Sequence, residues 1–278
     1  MGLLEDGIKV LCDTDSYAAA LINPQFNTII NTLQLYIHEI ERFNAAYGLV
    51  SYKNTDELII KHILNSVSAC GIIAQNIHHG CHEPDGLNGA AYSGHNPAAR
   101  AHGAAAGIHG AEIADAGSGA GLPGIPLAIL FPQCRLTLIE RSHRRGGFLC
   151  HVKAVLGLKN VSVLNMDISE IKAAPYVVEP ASGGFNVITF RAFHPMNKKL
   201  YISLAGLLSK DGVILAYKGR KERIQDEMAA FASNLPHWEM LPCPTPFLDE
   251  ERTLLVIRPS KPVHAARVFL VRRGEPVG

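Results

Sequence analysis

The chain has 278 residues, 47% of them hydrophobic, and a formal net charge of +1. That is enough apolar material for one large core, or for one domain with a helical extension. The near-neutral balance means that bulk charge alone does not mark a nucleic-acid binder. No apolar run of the roughly eighteen residues needed to span a membrane is evident. Cysteines at 12, 70, 81, 134, 150 and 243 form no CxxC pair. The acidic start, with Glu5, Asp6, Asp13 and Asp15, resembles neither a signal nor a transit peptide. Reduced thiols and a cytoplasmic location are therefore expected.

Charge is unevenly spread. Residues 1–60 hold Lys9, Arg42 and Lys53 against eight acids, whereas 191–223 hold eight Lys and Arg against Asp211 and Glu222. Such asymmetry suggests one basic face.

In chain order, residues 27–47 read as an amphipathic helix, with Ile29, Leu33, Ile37, Ile40 and Phe43 near helical spacing. A second helix is predicted from Asn54, with Glu57 three residues on as a capping box. Leu58, Ile59, Ile63, Leu64 and Val67 supply its apolar face. Residues 75–110 are rich in Gly, His and Ala and lack sustained periodicity, so they read as a surface insertion. His78, His79, Cys81 and His82 cluster within it, but their spacing matches no standard zinc site, and no metal is expected.

From 113 onward strands and helices alternate. Predicted strands are 113–117, 135–140, 161–165, 185–190, 212–217 and 252–258, with helices near 122–130, 144–157, 196–208 and 220–233. This alternation predicts an α/β fold with a mainly parallel sheet covered by helices on both faces. The expected organisation is a helical extension at 1–74, the insertion at 75–111, an α/β domain at 112–260 and a tail at 261–278.

Between the first strand and the next helix lies Asp115-Ala-Gly-Ser-Gly-Ala-Gly-Leu-Pro-Gly-Ile-Pro126. A glycine-rich loop of this kind is how α/β proteins seat a nucleotide-like ligand. Gly119, Gly121 and Gly124 also satisfy GxGxxG, so a dinucleotide enzyme is one reading. Glu140, closing the second strand, suits the ribose hydroxyls of either NAD or S-adenosylmethionine. Two features favour the methyl donor. Asp115 is a poor neighbour for a pyrophosphate but suits an ammonium group, and Leu122-Pro123 stiffens the loop where a pyrophosphate needs open amides. The cofactor seat is therefore placed on Asp115, Gly117, Ser118, Gly119, Gly121, Leu122 and Glu140.

Arg191 ends an apolar strand, where a charge is costly without a partner or ligand. A salt bridge to Glu140 or Asp115 is the structural alternative. Arg141, His143, Arg144 and Arg145 follow the second strand, and Lys218, Arg220, Lys221 and Arg223 follow the fifth. Both sets sit at strand C-terminal ends, on the same rim as the cofactor seat. Competing readings are an NAD-dependent oxidoreductase, a methyltransferase with another substrate, and a non-catalytic RNA-binding or assembly factor.

The stretch 115–126 resembles the signature of the RsmG, or GidB, family. The likeness continues in Leu136-Thr-Leu-Ile-Glu140, Arg144-Arg145, Phe148-Leu149, Leu156-Gly-Leu-Lys-Asn-Val161, Arg191-Ala-Phe193, Lys218-Gly219 and Glu251-Arg252-Thr-Leu-Leu-Val-Ile257. Upstream, Phe43-Asn44 stands where the family has Trp-Asn, and His62-Ile-Leu-Asn-Ser66 resembles its His-Ile-x-Asp-Ser. The resemblance implies a Rossmann-like class I methyltransferase with a mostly parallel seven-stranded sheet and an N-terminal helical extension. It implies S-adenosyl-L-methionine as cofactor and methyl transfer to guanine N7 in small-subunit (16S) ribosomal RNA, free or in a pre-ribosomal particle. It further implies that Asp167, Ile168 and Ser169 touch the adenine and that Arg191 is catalytic as well as near the cofactor. RNA contacts fall on Arg141, Arg144, Arg145, Lys218 and Arg220. No membrane association is expected, and a monomer is. The chain departs from the family in the 75–110 insertion, in Asn65 for an acid, in Asp167-Ile168-Ser169 for an Arg-Ala-Glu segment, and in Gly146-Gly147, which is expected to weaken a helix start.

Overall fold

The computed structural model describes residues 2–80, 108–171, 183–191, 196–229 and 237–259. Three helices open the chain: α1 (Leu3–Thr14), α2 (Ser16–Ile22) and α3 (Phe26–Tyr47). Asp15 caps α2, its Oδ1 accepting from the amides of Tyr17 and Ala18. α3 ends at Gly48, whose φ of 59° is the left-handed cap that glycine adopts without steric cost. Asn44 then steers the exit, its Oδ1 accepting from the amides of Leu49 (3.0 Å) and Val50 (2.9 Å). That bond gives the Phe43-Asn44 motif a structural role.

The next helical run is continuous but not uniform. It comprises α4 (Thr55–Leu58), a π-helical turn (Ile59–Leu64), α5 (Asn65–Val67) and α6 (Cys70–Gly80). Asn54 caps it by accepting from Glu57 N–H, while the Glu57 carboxylate reaches Lys53 N–H rather than that of the cap itself. The capping residue is the predicted one, although the return bond lands one residue earlier.

The sheet has the order β3-β2-β1-β4-β5-β7-β6. Its strands are β1 (Glu112–Ala116), β2 (Arg135–Ile139), β3 (Val161–Leu164), β4 (Phe185–Arg191), β5 (Leu208–Lys218), β6 (His237–Pro242) and β7 (Thr253–Arg258). β1 to β5 run parallel; β7 is antiparallel to β5, and β6 to β7. The order reverses at β1 and β4, which opens a crevice beyond their C-terminal ends. Helices α7 (Gly124–Leu130), α8 (His143–Val155), α9 (Lys198–Ala205) and α10 (Lys221–Ala229) complete the layers.

Each strand alternates its side chains between two faces. Ile113, Leu138, Val187 and Leu215 join the core under α1–α8, and Ala114, Ile188, Ala216 and Leu255 join the core under α9 and α10. The first core runs without a break from Leu4 in α1 to Val256 in β7. α6 lies directly on β4 and β5, and α3 packs on α7 and α8. The N-terminal helices are thus one cover of the sheet rather than an appendage.

Three sequence expectations need correction. α1 and α2 and strand β6 had no predicted counterpart; β6 is half-exposed along its length and carries no alternating apolar signal. Residues 75–80, expected to open the insertion, continue α6, and Ile77 is fully buried. Thr55–Ile77 does reach the length and hydropathy of a membrane span, at 23 residues and mean hydropathy 1.4, but 67% of its apolar window is buried inside the protein. That burial is what a core helix requires. Cys81, His82, Phe193 and the segment 261–278 lie outside the described residues, as do the side chains of His78 and His79. None of the five described cysteines forms a disulfide.

Candidate active site

The glycine loop leaves β1 and divides into two halves with different neighbours. Gly117 (φ 71°) faces a cleft of about 550 Å³, whose walls include Glu140, Arg141, Asp167, Ile168 and Ser169. The second half turns inward. A Cβ on Gly121 (φ 94°) would stand 2.5 Å from Ile125 Cγ1, 3.0 Å from Leu149 Cδ2 and 3.3 Å from the Tyr36 hydroxyl. A Cβ on Gly124 would meet Leu138 and the Asp115 carboxylate. Leu122 belongs to the core under the N-terminal helices. Of the loop positions predicted to bind cofactor, Gly117 lines the cleft, whereas Gly121 and Leu122 hold the loop against its helical cover. Tyr36, which the sequence reading missed, clamps the loop by donating its hydroxyl to Ala120 O at 2.8 Å.

The loop's own amides are almost all committed. Gly117 and Ser118 N–H donate to Ile139 O at 2.8 and 3.0 Å, and Gly119 N–H donates to Glu140 Oε2 at 2.8 Å. Gly121 and Leu122 N–H donate to Ser118 O, Gly124 N–H to Asp115 Oδ2 and Ile125 N–H to Gly121 O. Among the described residues, only Ala120 offers an unpaired amide between 117 and 125. A pyrophosphate needs several free N–H groups at such a turn, and this loop does not present them. A nucleoside without phosphates makes no such demand.

Glu140 is 4% exposed and ties the two βα loops together, accepting from Gly119 N–H at Oε2 and Ser142 N–H at Oε1, both at 2.8 Å. A carboxylate carries about four lone-pair sites, so two remain for a ribose diol. Asn165 Nδ2 donates to Glu140 O at 2.6 Å and packs against Gly146, where a Cβ would come within 3.0 Å of it. Gly146 therefore makes room for the residue that fixes Glu140, which gives the interrupted helix start a physical reason. Gly147 meets nothing within 4 Å.

Asp115 is only 1% exposed and lies beneath the loop rather than in the cleft. Its Oδ2 accepts from Gly124 N–H at 3.0 Å and so caps α7, while Oδ1 is buried without a partner. Burial pushes its carboxyl up to about 7, against the opposing bonds from Gly124 and Ser118 and the nearby Arg191 charge. On the adjacent strand, in register with Asp115, Thr189 also leaves its buried Oγ1 unpaired. Two orphaned oxygens side by side form a polar spot under the cofactor loop that an ammonium group or water would satisfy.

Asp167 turns on Ser169, accepting at Oδ1 from its amide and hydroxyl; these bonds hold its carboxyl below the usual range. Arg141 is exposed, 3.8 Å from Asp167. The far wall of the cleft is the start of α9, with Asn197, Lys199, Leu200 and Ser203. Nothing local set these apart within the helix predicted near 196–208; Asn197 also caps α9, accepting from Leu200 N–H.

Arg191 makes neither of the salt bridges weighed as its structural alternative. Its Nη1 donates to Lys61 O at 3.1 Å and His62 O at 3.4 Å, and its Nη2 to His62 Nδ1 at 3.0 Å. The remaining basic candidates separate. Arg144 donates to Ala46 O (3.4 Å) and Arg145 to Gly48 O (3.5 Å), at the C-terminal end of α3. Lys218 pairs with Glu227 at 2.7 Å and is only 13% exposed. Arg220 and Arg223 line a second cleft of about 690 Å³ beyond β5 and have no ion pair among the described residues.

The sequence pattern described as rRNA small subunit methyltransferase G (GidB) matches residues 104–252. A ribosomal RNA small subunit methyltransferase G of Treponema denticola is 35% identical over 92% of this chain and 93% of its own length. The chain belongs to this family. Its relative of the same description from Cellvibrio japonicus is 32% identical over 83% of this chain and 86% of its own. The solved structure of the Methanococcus jannaschii fibrillarin pre-rRNA processing protein is 18% identical, with TM-score 0.43, over 55% of this chain and 68% of that one. Membership makes the chain an S-adenosylmethionine-dependent methyltransferase, and the site's geometry fits that cofactor. The loop spends its amides internally, and Glu140 keeps lone pairs for a ribose.

Proposed function

We propose that the protein transfers a methyl group from S-adenosylmethionine to N7 of a guanine in small-subunit (16S) ribosomal RNA, acting as a cytoplasmic monomer on the RNA or on a pre-ribosomal particle. The observation that carries this reading is the glycine loop of a GidB-family chain with its amides consumed by Ile139 O, Glu140, Ser118 O and Asp115. When bound, S-adenosylmethionine supplies an electrophilic methyl on a sulfonium. Glu140 holds the ribose, Gly117 gives the backbone close access, and Asp167, Ile168 and Ser169 flank the adenine.

Guanine N7 carries a free lone pair at neutral pH, so no proton leaves before attack and no general base is required. The work left to the protein is alignment of nucleophile and methyl. Arg191, at the C-terminal end of β4, orients the base through donors that leave the N7 lone pair free. Arg141 and Arg220 hold flanking phosphates, which gives affinity without sequence readout. Incubation with labelled methyl donor and small-subunit RNA or particles, followed by cleavage mapping of N7-methylguanosine, tests the reading. One labelled guanine is expected. Cofactor uptake without transfer to any ribosomal substrate would overturn it in favour of a binding factor, and tight NAD binding with no uptake of the methyl donor would overturn the site assignment.

A further inference from the structure

His62 and Arg191 lie 129 residues apart in the chain, yet share a 3.0 Å bond between Nη2 and Nδ1. A guanidinium only donates, so Nδ1 must accept and the ring proton must sit on Nε2. Nε2 in turn lies 3.0 Å from Ser51 O, which can only accept. The two bonds therefore fix one tautomer, neutral, with its lone pair aimed at Arg191. The π-helical turn Ile59–Leu64 supplies two further acceptors, Lys61 O and His62 O. Three of the five guanidinium N–H groups are thereby used. Nε–H and one Nη2–H remain without a partner among the described residues.

We propose that His62 is a positioning residue for methyl transfer: its neutral imidazole, braced on Ser51 O, sets the plane of the Arg191 guanidinium so that the two spare N–H groups orient the substrate base. This rests on the reading above that Arg191 meets the substrate. An arginine at a strand end has long-chain rotational freedom, and a fork held on three sides loses most of it before the substrate arrives. A charged imidazole has no acceptor and would set two cations against each other. Burial first, then the Arg191 charge from β4 and, least, Lys61 from its own turn keep the ring neutral against the Ser51 carbonyl and Glu57, and its pKa falls to about 4.

The test compares His62→Leu, His62→Asn, Arg191→Ala and the Leu/Ala double variant in methyl transfer at saturating RNA and cofactor, with folding checked by circular dichroism. Asparagine places Oδ1 where Nδ1 stood and keeps the acceptor. The expected result is a loss in kcat of about tenfold or more for His62→Leu, with little change in KM for the methyl donor, and recovery of most of it in His62→Asn. The double variant should be no slower than Arg191→Ala, because coupled groups are not additive. A His62→Leu enzyme within twofold of the parent, or losses that multiply in the double variant, would overturn the proposal; so would full activity in Arg191→Ala. A parent protein that methylates no ribosomal substrate would instead defeat the functional reading. Nitrogen-15 shifts of the imidazole, which need no turnover, then separate the two: a fixed Nε2–H tautomer down to pH 5.5 supports the brace, and titration near pH 6.5 removes it.

Discussion

Asp115 shows how one buried atom sets both stability and use. Its pKa of about 7 lies above the unfolded value of 3.8. A raised carboxyl stabilises the native state below the unfolded pKa and loses that contribution as pH rises through the folded one, here between about 4 and 7. The size of the effect is on the order of 4 kcal/mol at about 1.4 kcal/mol per pH unit. Asp115→Asn keeps an acceptor for Gly124 N–H but carries no charge. Its thermal stability should gain on the parent as pH goes from 5 to 8, while its affinity for the methyl donor falls. Equal pH slopes for the two proteins in thermal melts would contradict the assignment. At this scale the sequence singled out Asp115 but not its environment. Asp115 was legible as a cofactor-side acid from its place before the glycines; that it lies under the loop and caps α7 depends on Gly124 approaching across nine residues. Arg191 was legible as a charge in need of a partner. The partner, His62, was legible only as part of a family-like motif, because nothing local announces a bond across 129 residues.

At the level of elements, the glycines that look alike in the sequence do different work. Gly121 has φ 94° and tight neighbours in Ile125, Leu149 and Tyr36, whereas Gly147 stands in open space within α8. Gly121→Ala should lower stability by roughly 2–4 kcal/mol through backbone strain and overpacking. Gly147→Ala should raise it by about 0.5–1 kcal/mol, as an alanine does in an exposed helix interior. Denaturant titrations of the two variants check both signs. Periodicity located α3 and α4 through their apolar stripes, whereas α7–α10 were placed by their position between strands, since α7 is buried on every side and α8 has no single apolar face. The reading passed over α1, although Leu4, Ile8 and Leu11 form a buried stripe on it, and it missed the seven-residue α2 and β6, whose side chains meet a partly wet edge. The π-helical turn left no local signal in the sequence; its carbonyls Lys61 O and His62 O accept from Arg191, a partner far along the chain.

For the whole molecule, the alternation after residue 113 was enough to announce a mainly parallel sheet with helices on both faces, but not that α1–α6 complete one of those covers or that β7 and β6 run antiparallel. The basic face was legible only as composition. Structure divides it into arginines that hold α3, a lysine neutralised by Glu227, and the outward Arg141, Arg220 and Arg223. If the outward set holds phosphates, Arg220→Ala with Arg223→Ala should weaken RNA binding and flatten the salt dependence by about 0.7 per lost contact. Lys218→Ala should act mainly on stability. Filter-binding isotherms across a salt series read the difference, and an unchanged slope in the double variant would place the RNA elsewhere. A domain assembled this way also has an unusual birth. Ile77 of α6 settles on strands whose codons come more than a hundred positions later. During translation the opening helices wait on the order of ten seconds for that support. The nascent chain thus leaves the ribosome with a greasy side uncovered, and a catalytic half made without its leader would emerge equally bare.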